Sequence, residues 1–407
     1  GVDLRRNHEV LDVDTDAHTV QVAGPDGAFE QAYGDLLVAT GARALTSPLD
    51  GTALDGVHTL HGLDSAAGVR AHLLDPDADH LADVGGEAFV DRAAVERYGA
   101  LDPPETVAIV GGGYVGVEMA EAFSAHQCDV HLFQRGDHVL PPFGEAVAER
   151  VETELREQGV TLHLETEVAE LTGRDGRVEH LVCVGGTELD TELVLVGVGI
   201  RPNTEVVADE PVGTGPGGAI AVDDHGRTGV DGVYAAGDCA TMEHAVTGDQ
   251  DWVPLGLTAN RAGRAIGSTV AGTPEPVGTI AGTGVLKAFD CEAGRTGLTD
   301  PGRAREAGFD PVAETVTAGS RSGYYPGGSA TDVTLLADRE SGLLLGGTVV
   351  GTDRAAIRVD ILATAVEQGA TVGELERTDL AYAPPFSPVW DPVLVAAKVL
   401  RGSVEEA

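Results

Sequence analysis

Lysine is nearly absent from this chain of 407 residues: only Lys287 and Lys398 occur, and arginine supplies the other cations. Against 26 Lys and Arg stand 66 Asp and Glu, a formal net charge of −40. That balance leaves no basic stripe of the kind a nucleic-acid binder needs. A dense carboxylate surface with little lysine suits a cytosol of very high salt, where self-repulsion is screened, and a halophilic source is expected. Cysteine is also sparse. Cys128, Cys183, Cys239 and Cys291 lie far apart and form no C-x-x-C pair, which excludes a disulfide framework and a zinc site and fits a reducing cytoplasm. Each reads as a small buried hydrophobe, and no metal site is expected. No apolar run reaches about 18 residues, so no membrane span is expected. No signal peptide is visible and no short repeat is found. With 42% hydrophobic residues, the chain is globular and long enough for two or three domains.

What is present is organised around residues 106–134, TVAIVGGGYVGVEMAEAFSAHQCDVHLFQ. The apolar run Val107–Val110 predicts a buried parallel strand. Gly111, Gly113 and Gly116 follow in the order G-x-G-x-x-G. The first permits a tight turn, the second lets backbone approach a pyrophosphate, and the third lets a helix pack close to its strand. A helix over Tyr114–Ala125 would offer its free N–H groups and positive dipole end to that pyrophosphate. Val130–Phe133 closes the unit as a second strand. Strand, glycine turn, helix and strand together point to a dinucleotide site. Gln134, 23 residues after Gly111, takes the place where a ribose-reading acid would favour NAD, and Arg135 follows it. A neutral residue and then a cation allow a 2′-phosphate contact and favour NADPH; the plain alternative for Arg135 is a solvated surface cation.

Upstream, Val10–Val13 and Thr19–Val22 alternate around a polar turn, a hairpin pattern. The strand Asp35–Ala39 ends in Thr40-Gly41, which either brings backbone close to a cofactor or makes an ordinary tight turn. A helix is expected over Leu63–Leu74, then a loose acidic stretch over Asp75–Pro104. Downstream, a helix over Glu145–Gln158 is followed by strands at Val160–Leu164, Val168–Leu171, Val178–Val184 and Leu193–Val198. Gly197 and Gly199 again let backbone approach a ligand at a strand's carboxyl end. Val230–Ala236 should be a strand running into Gly237-Asp238 and a helical segment; Asp238 there either accepts hydrogen bonds from ligand hydroxyls or caps the helix. A helix over Leu257–Val270, strands at Gly284–Phe289, Val312–Thr317, Asp332–Ala337 and Leu343–Val350, and a helix over Ala355–Glu367 precede a proline-punctuated tail.

Taken together, these segments resemble the FAD-dependent pyridine nucleotide-disulfide oxidoreductases, and within them the coenzyme A disulfide reductase and NADH oxidase group. The matching pieces are the HEV hairpin, LLVATGA, VAIVGGGYVGVEMAEAF, VGVGIRPN, TGVDGVYAAGDCA, SGYYPGGS, RVDIL and AYAPPFSPVWDPV, which span nearly the whole chain. The resemblance implies an α/β protein with two nested Rossmann-like dinucleotide-binding domains, for FAD and NAD(P)H, plus a C-terminal α+β dimerisation domain. Residues 1–103 would be the first part of the FAD domain, 104–222 the NAD(P)H domain, 223–278 the second part of the FAD domain and 279–407 the interface domain. It further implies that Asp238 binds the FAD ribityl chain with Gly237 and Ala240 beside it, and that Thr40 and Gly41 lie along the FAD. Gly111, Gly113 and Gly116 would hold the NAD(P)H pyrophosphate, Tyr114 would gate the flavin, and Glu118 would sit near the nicotinamide amide; for these last two the alternative is helix packing. Tyr324 and Tyr382 match positions used on the opposite subunit beside the redox sulfur, where a phenol can donate a proton to a leaving thiolate; their plain alternative is a buried interface tyrosine.

The function implied is electron transfer from NAD(P)H, through FAD and a single redox cysteine, to coenzyme A disulfide or a similar low-molecular-weight disulfide, in a cytoplasmic homodimer. An NADH oxidase reducing O2 and a persulfide or sulfur reductase share the fold; an electron-transfer flavoprotein reductase serving a protein partner is the alternative of another class. The family opens with a βαβ unit carrying an FAD-binding G-x-G-x-x-G and then a redox cysteine, neither of which this sequence shows. Gly1 matches a point roughly 70 residues into that pattern. N-terminal truncation is therefore expected, with the redox cysteine in the missing segment, poor FAD retention and no disulfide reduction by this fragment. Cys239 reads as a packed residue near the flavin. The acidic stretch before Thr106 is longer than the family's.

Overall fold

The computed structural model describes residues 1–47, 49–79 and 90–405. The chain divides into two compact units, one of Gly1–Arg43 with Ile200–Gly282 and one of Ala44–Gly199 with Thr283–Ala407. Residues 44–103, read from the sequence as part of the first segment, thus cluster with the glycine-turn sheet. The reason is the strand Val57–His58, which pairs in parallel with Leu193–Val196.

The first unit begins with an antiparallel meander of Glu9–Asp14, Thr19–Gly24 and Gly27–Ala32. Its first two strands form the expected hairpin, Val13 facing Val20, and the Asp14 carboxylate accepts the Ala17 N–H at 2.7 Å to close the turn. The third strand was not foreseen; its residues are mostly exposed, so its sequence carries no alternation. Val13, Val20 and Val22 bury against Val38, Ile220 and Val233. Leu36–Val38 pairs in parallel with Val233–Ala235, so both strands end side by side. The second is shorter than expected because Val230 turns, its carbonyl accepting the Val233 N–H at 3.2 Å. The helical segment expected after Asp238 is one 3₁₀ turn, Gly237–Cys239. Cross-chain bonds to Ile220, from Ile220 N–H to the Cys239 carbonyl and from Thr241 N–H to the Ile220 carbonyl, pull the chain extended there. A small hairpin follows before the helix Gly256–Val270.

The second unit holds a five-stranded parallel sheet in the order Val57–His58, Leu193–Val196, Thr106–Val110, Asp129–Phe133, Thr161–His163. The central strands bury nearly every residue, as parallel strands covered on both faces do. The helices Tyr114–Ala125 and Glu145–Glu157 supply Val117, Phe123, Val151 and Leu155 to one core cluster. On the other side Ala108, Val110 and Val194 meet Leu171, Val178 and Leu181 of an antiparallel sheet. The stretch expected to be loose carries the helix Arg92–Gly99, started by Asp91, whose carboxylate accepts the Ala93 and Ala94 N–H groups; its residues 80–89 lie outside the described residues. The carboxy-terminal portion is an antiparallel sheet in the order Gly284–Ala288, Cys291–Gly297, Leu344–Gly351, Ala330–Asp338, Pro311–Gly319, with the helices Val359–Glu367 and Pro392–Glu405. The helix expected from Ala355 begins as a 3₁₀ turn, Ala356–Arg358. Among the described residues no helix is long and apolar enough to cross a membrane.

Candidate active site

The glycine turn follows directly from backbone sterics. Gly111 has φ +110°, and a Cβ there would run into the carbonyl of Gly197. Gly197 in turn donates its N–H to the Val110 carbonyl at 2.8 Å, which brings the two strand ends together. A Cβ at Gly116 would strike the Gly111 carbonyl, so the helix sits as close to its strand as the chain allows. Gly113, by contrast, has nothing within 4 Å of a would-be Cβ. It is the N-cap of the helix Tyr114–Ala125, with no side-chain cap and no acid in the first turn. In so acidic a chain, that leaves the N–H groups and the positive helix end open to an anion. Gly199 has φ +126° and accepts the Leu45 N–H through its carbonyl at 2.9 Å.

Gln134 turns back into the glycine turn. Its Oε1 accepts the Gly112 N–H at 3.0 Å, and its Nε2 donates to the His138 carbonyl at 3.1 Å. Arg135 beside it is exposed and makes no hydrogen bond or ion pair with any described residue. Tyr114 packs edge-on against Phe143, ring centroids 5.2 Å apart, and burial pushes its phenol up. Its hydroxyl stands where a side chain at Gly284 would be, so it reaches the carboxy-terminal sheet of its own unit. Glu118, one helical turn on, is exposed; partial desolvation and then Glu121 raise its carboxyl.

In the first unit, the parallel pairing places Thr40-Gly41 and Gly237-Asp238 at the carboxyl ends of adjacent strands. The Ala236 N–H donates to the Val38 carbonyl at 3.1 Å, and the Cys239 thiol reaches the same carbonyl at 3.4 Å. Gly41 and Gly237 both have positive φ, +68° and +79°. Asn203, a residue given no role from the sequence, clamps the first turn: its N–H donates to the Gly41 carbonyl at 2.9 Å and its Nδ2 to the Thr40 carbonyl at 3.0 Å. Trp252 Nε1 donates to the Asp238 carbonyl at 2.9 Å. The Asp238 carboxylate itself has no partner among the described residues and caps no helix. Ala240 is buried beside it.

Tyr324 and Tyr382 come together although 58 residues separate them, their hydroxyls 3.3 Å apart. Both are exposed, at 77% and 47%. Hydrogen bonding from Tyr382 lowers the Tyr324 phenol and raises its own, since one phenolate is stabilised by a donating neighbour. The loops carrying them are fixed by Arg358, which is 6% exposed. Its guanidinium pairs with Asp391 at 3.0 Å and donates to the carbonyls of Ser320 at 2.8 Å and Phe386 at 3.3 Å. The sequence shows Arg358 only as part of RVDIL, and its partners were not readable. None of the cysteines resembles a reactive thiolate. Cys183, Cys239 and Cys291 are buried, and burial raises the thiols of Cys128, Cys183 and Cys291, the last to about 12.

Comparison with known proteins shows the family. The family described as pyridine nucleotide-disulphide oxidoreductase matches residues 1–253, and its dimerisation domain matches residues 285–392. The chain belongs to the pyridine nucleotide-disulphide oxidoreductases, enzymes with an FAD domain, an NAD(P)H domain and a C-terminal dimerisation domain. It is 37% identical over 402 residues to the NAD(P)H coenzyme A polysulfide/persulfide reductase of Pyrococcus horikoshii, covering 98% of this chain and 83% of that one. With the NADH oxidase of Methanocaldococcus jannaschii it shares 29% identity over 399 residues, covering 98% and 82%. Among solved structures, a NAD-dependent persulfide reductase from A. fulgidus matches with TM-score 0.87 at 30% identity, covering 98% of this chain and 69% of that one.

Proposed function

We propose that this protein passes electrons from NADPH to a sulfur–sulfur bond borne by coenzyme A or a similar small thiol, a persulfide or a disulfide. The observation that carries this reading is the hydrogen-bonded phenol pair Tyr324–Tyr382, exposed on the portion matching the dimerisation domain. A phenol lowered by its neighbour is suited to give a proton to a departing thiolate. The net reaction balances as NADPH plus a proton plus RSSR giving NADP⁺ and two RSH, or one RSH and H₂S from a persulfide. The names of the Pyrococcus horikoshii and A. fulgidus relatives, a polysulfide/persulfide reductase and a persulfide reductase, support the persulfide form.

The first unit fits FAD: an Asp238 carboxylate without a partner among the described residues and two positive-φ glycines meet at the ends of parallel strands, a place suited to ligand hydroxyls. Bound there, FAD would supply a two-electron carrier between nicotinamide and sulfur. Asp238 would accept the ribityl hydroxyls, with Gly237 and Ala240 beside it and Thr40 and Gly41 along the group. Gly111, Gly113 and Gly116 bind the NADPH pyrophosphate, with Gly197 and Gly199 at the neighbouring strand end. Tyr114 and Glu118 orient the nicotinamide. Arg135 takes the 2′-phosphate, since Gln134 is bound into the turn and offers no carboxylate to a ribose hydroxyl. The attacking thiolate is none of the four cysteines: Cys183, Cys239 and Cys291 are buried, and burial raises the thiols of Cys128, Cys183 and Cys291. The matched dimerisation domain, and Phe386, Val389 and Trp390 standing exposed on it, support a homodimer. The segment division at 1–103, 104–222, 223–278 and 279–407 and a cytoplasmic setting belong to the same reading.

The test uses the complete gene product, purified in high KCl under anaerobic conditions. NADPH and NADH consumption would be followed with coenzyme A disulfide and with coenzyme A persulfide, while thiol and sulfide are titrated. Two thiols per NADPH, or one thiol and one sulfide, support the proposal. Consumption only after oxygen is admitted overturns it in favour of O2 reduction, a second reading favoured by the Methanocaldococcus jannaschii relative.

A further inference from the structure

Glu152 is a carboxylate where the fold should have an apolar side chain. On the helix Glu145–Glu157 it shares the buried face with Val147, Ala148, Val151 and Leu155, and it is 4% exposed. A buried carboxylate is costly unless hydrogen-bonded or paired. Here Oε1 accepts from His138 Nδ1 at 3.0 Å and from the Val139 N–H at 3.1 Å, and Arg156 reaches Oε2 at 3.4 Å. His138 and Val139 belong to the segment between the strand Asp129–Phe133 and the 3₁₀ turn Pro141–Phe143. That segment grips Gly112, the middle residue of the glycine turn, from both sides. The Leu140 N–H donates to the Gly112 carbonyl at 2.8 Å, while the Gly112 N–H donates to Gln134, whose amide donates to the His138 carbonyl. A Cβ at Gly112 would lie 2.9 Å from Val139 Cγ1, so the contact is tight. Leu140 holds φ +52°, a conformation that a β-strand or helix would not impose. The chain of contacts thus runs from a buried acid, through a histidine-bearing strap, to the backbone that meets the pyrophosphate.

We propose that Glu152 and His138 form a positioning pair that holds the strap 134–140 against Gly112 and thereby sets nicotinamide-dinucleotide affinity, with His138⁺ as its pH-sensitive half. The proposal rests on the reading of Gly111–Gly116 as the dinucleotide site. Neither side chain need touch the cofactor. The charge of His138 faces Glu152 and lies near Asp137 of its own strap and Glu145 of the helix; Glu152 and these acids raise it, and Arg156 is the other cation on Glu152. Because its folded-state value lies above the ordinary one, the charged pair is complete at low pH and is lost as pH rises through the raised value. A neutral His138 keeps a hydrogen bond to the buried carboxylate but loses the ion pair.

The experiment is NADH and NADPH binding to the purified holoenzyme, by quenching or calorimetry, between pH 6 and 9, with steady-state KM and kcat alongside. Wild type should bind both coenzymes and lose affinity several-fold as pH rises. His138→Ala, on the open side of the strap, should weaken both coenzymes by about tenfold and flatten the pH dependence, raising KM more than it lowers kcat. His138→Asn, which keeps a donor at the Nδ1 position, should restore most of the affinity but not the pH slope. Glu152→Gln should flatten the slope likewise. Unchanged affinity and an unchanged slope in His138→Ala would overturn the pairing, whether or not Glu152→Gln folds. If wild type binds neither coenzyme, the dinucleotide reading fails instead, so the two failures are separable.

Discussion

Removing the guanidinium of Arg358 gives the sharpest test of how the carboxy-terminal portion is held. It pairs with Asp391, itself 6% exposed, and donates to four backbone carbonyls: Ser320, Asp353, Arg354 and Phe386. Asp391 also accepts from Ser387 at 2.9 Å and from the Val393 N–H at 3.0 Å. Arg358→Met keeps the stem and leaves a buried, uncompensated carboxylate. Breaking such a pair from one side costs about 3–5 kcal/mol, and we take about 4. With a urea slope of about 2–3 kcal/mol per M, the unfolding midpoint should fall by about 1–2 M. The chain has two tryptophans, so Trp252→Phe leaves Trp390, next to Asp391, as the reporter. Because the guanidinium holds both the Ser320 and the Phe386 segments, Tyr324 and Tyr382 should lose alignment, and kcat/KM should fall by at least about tenfold. The double variant Arg358→Met/Asp391→Leu removes both charges and should recover at least half of the lost stability but not the activity. A single variant costing under about 1 kcal/mol, or a double variant no more stable than the single, would refute the reasoning.

Asp238→Ala should release FAD, read as a loss of flavin absorbance after gel filtration, while the far-ultraviolet spectrum is kept; retained flavin would remove Asp238 from that role. Arg135→Ala should lower the ratio of kcat/KM for NADPH over NADH by about tenfold, as loss of a charge-assisted contact implies. An unmoved ratio would leave Arg135 a solvated cation. His58 and His72 share a hydrogen bond of 3.0 Å inside the second unit, and burial first lowers them to about 3 and about 4. Their folded values lie below the unfolded one, so their stability is present above pH ~6.5 and is lost as pH falls from there towards 3–4. By pH 5 the loss should be about 2 kcal/mol for each histidine, visible in urea midpoints; a flat profile between pH 7 and 5 would refute it. The net charge of −40 predicts a melting temperature that climbs as KCl rises from about 0.1 to 2 M. Insensitivity to KCl would count against the halophilic reading.

The glycine turn was legible because each glycine answers a purely local demand. Gly111 needs positive φ, Gly116 needs to clear the Gly111 carbonyl, and both demands follow from a strand turning into a helix. The hairpin of Glu9–Asp14 and Thr19–Gly24 was legible from alternation, whereas Gly27–Ala32, exposed along both faces, left no pattern to read. The helix Arg92–Gly99 was hidden by the acidity around it, although Asp91 before Arg-Ala-Ala-Val-Glu-Arg is a helix-start signal. Fold class and family needed only such local facts in order along the chain. The site needed more.

Side-chain roles that depend on a returning segment were not legible. Gln134 reads from its position as a residue facing the ribose; only the path of residues 135–140 shows that its amide closes on Gly112. Arg358 sat inside a recognised motif, but its work is done with Ser320, Phe386 and Asp391, from two other segments. Glu152 lies between these cases. Its partners could not be inferred, yet an acid spaced at helical period among Ala148, Val151 and Leu155 breaks the apolar stripe of its own helix. Such an acid must find donors within reach, and the nearest chain in a strand–turn–helix unit is the segment that leads into that helix. A carboxylate in the buried stripe of the helix Glu145–Glu157 therefore points to donors on the loop that leads into that helix, without naming them. In this chain that loop carries the residues proposed to read the coenzyme.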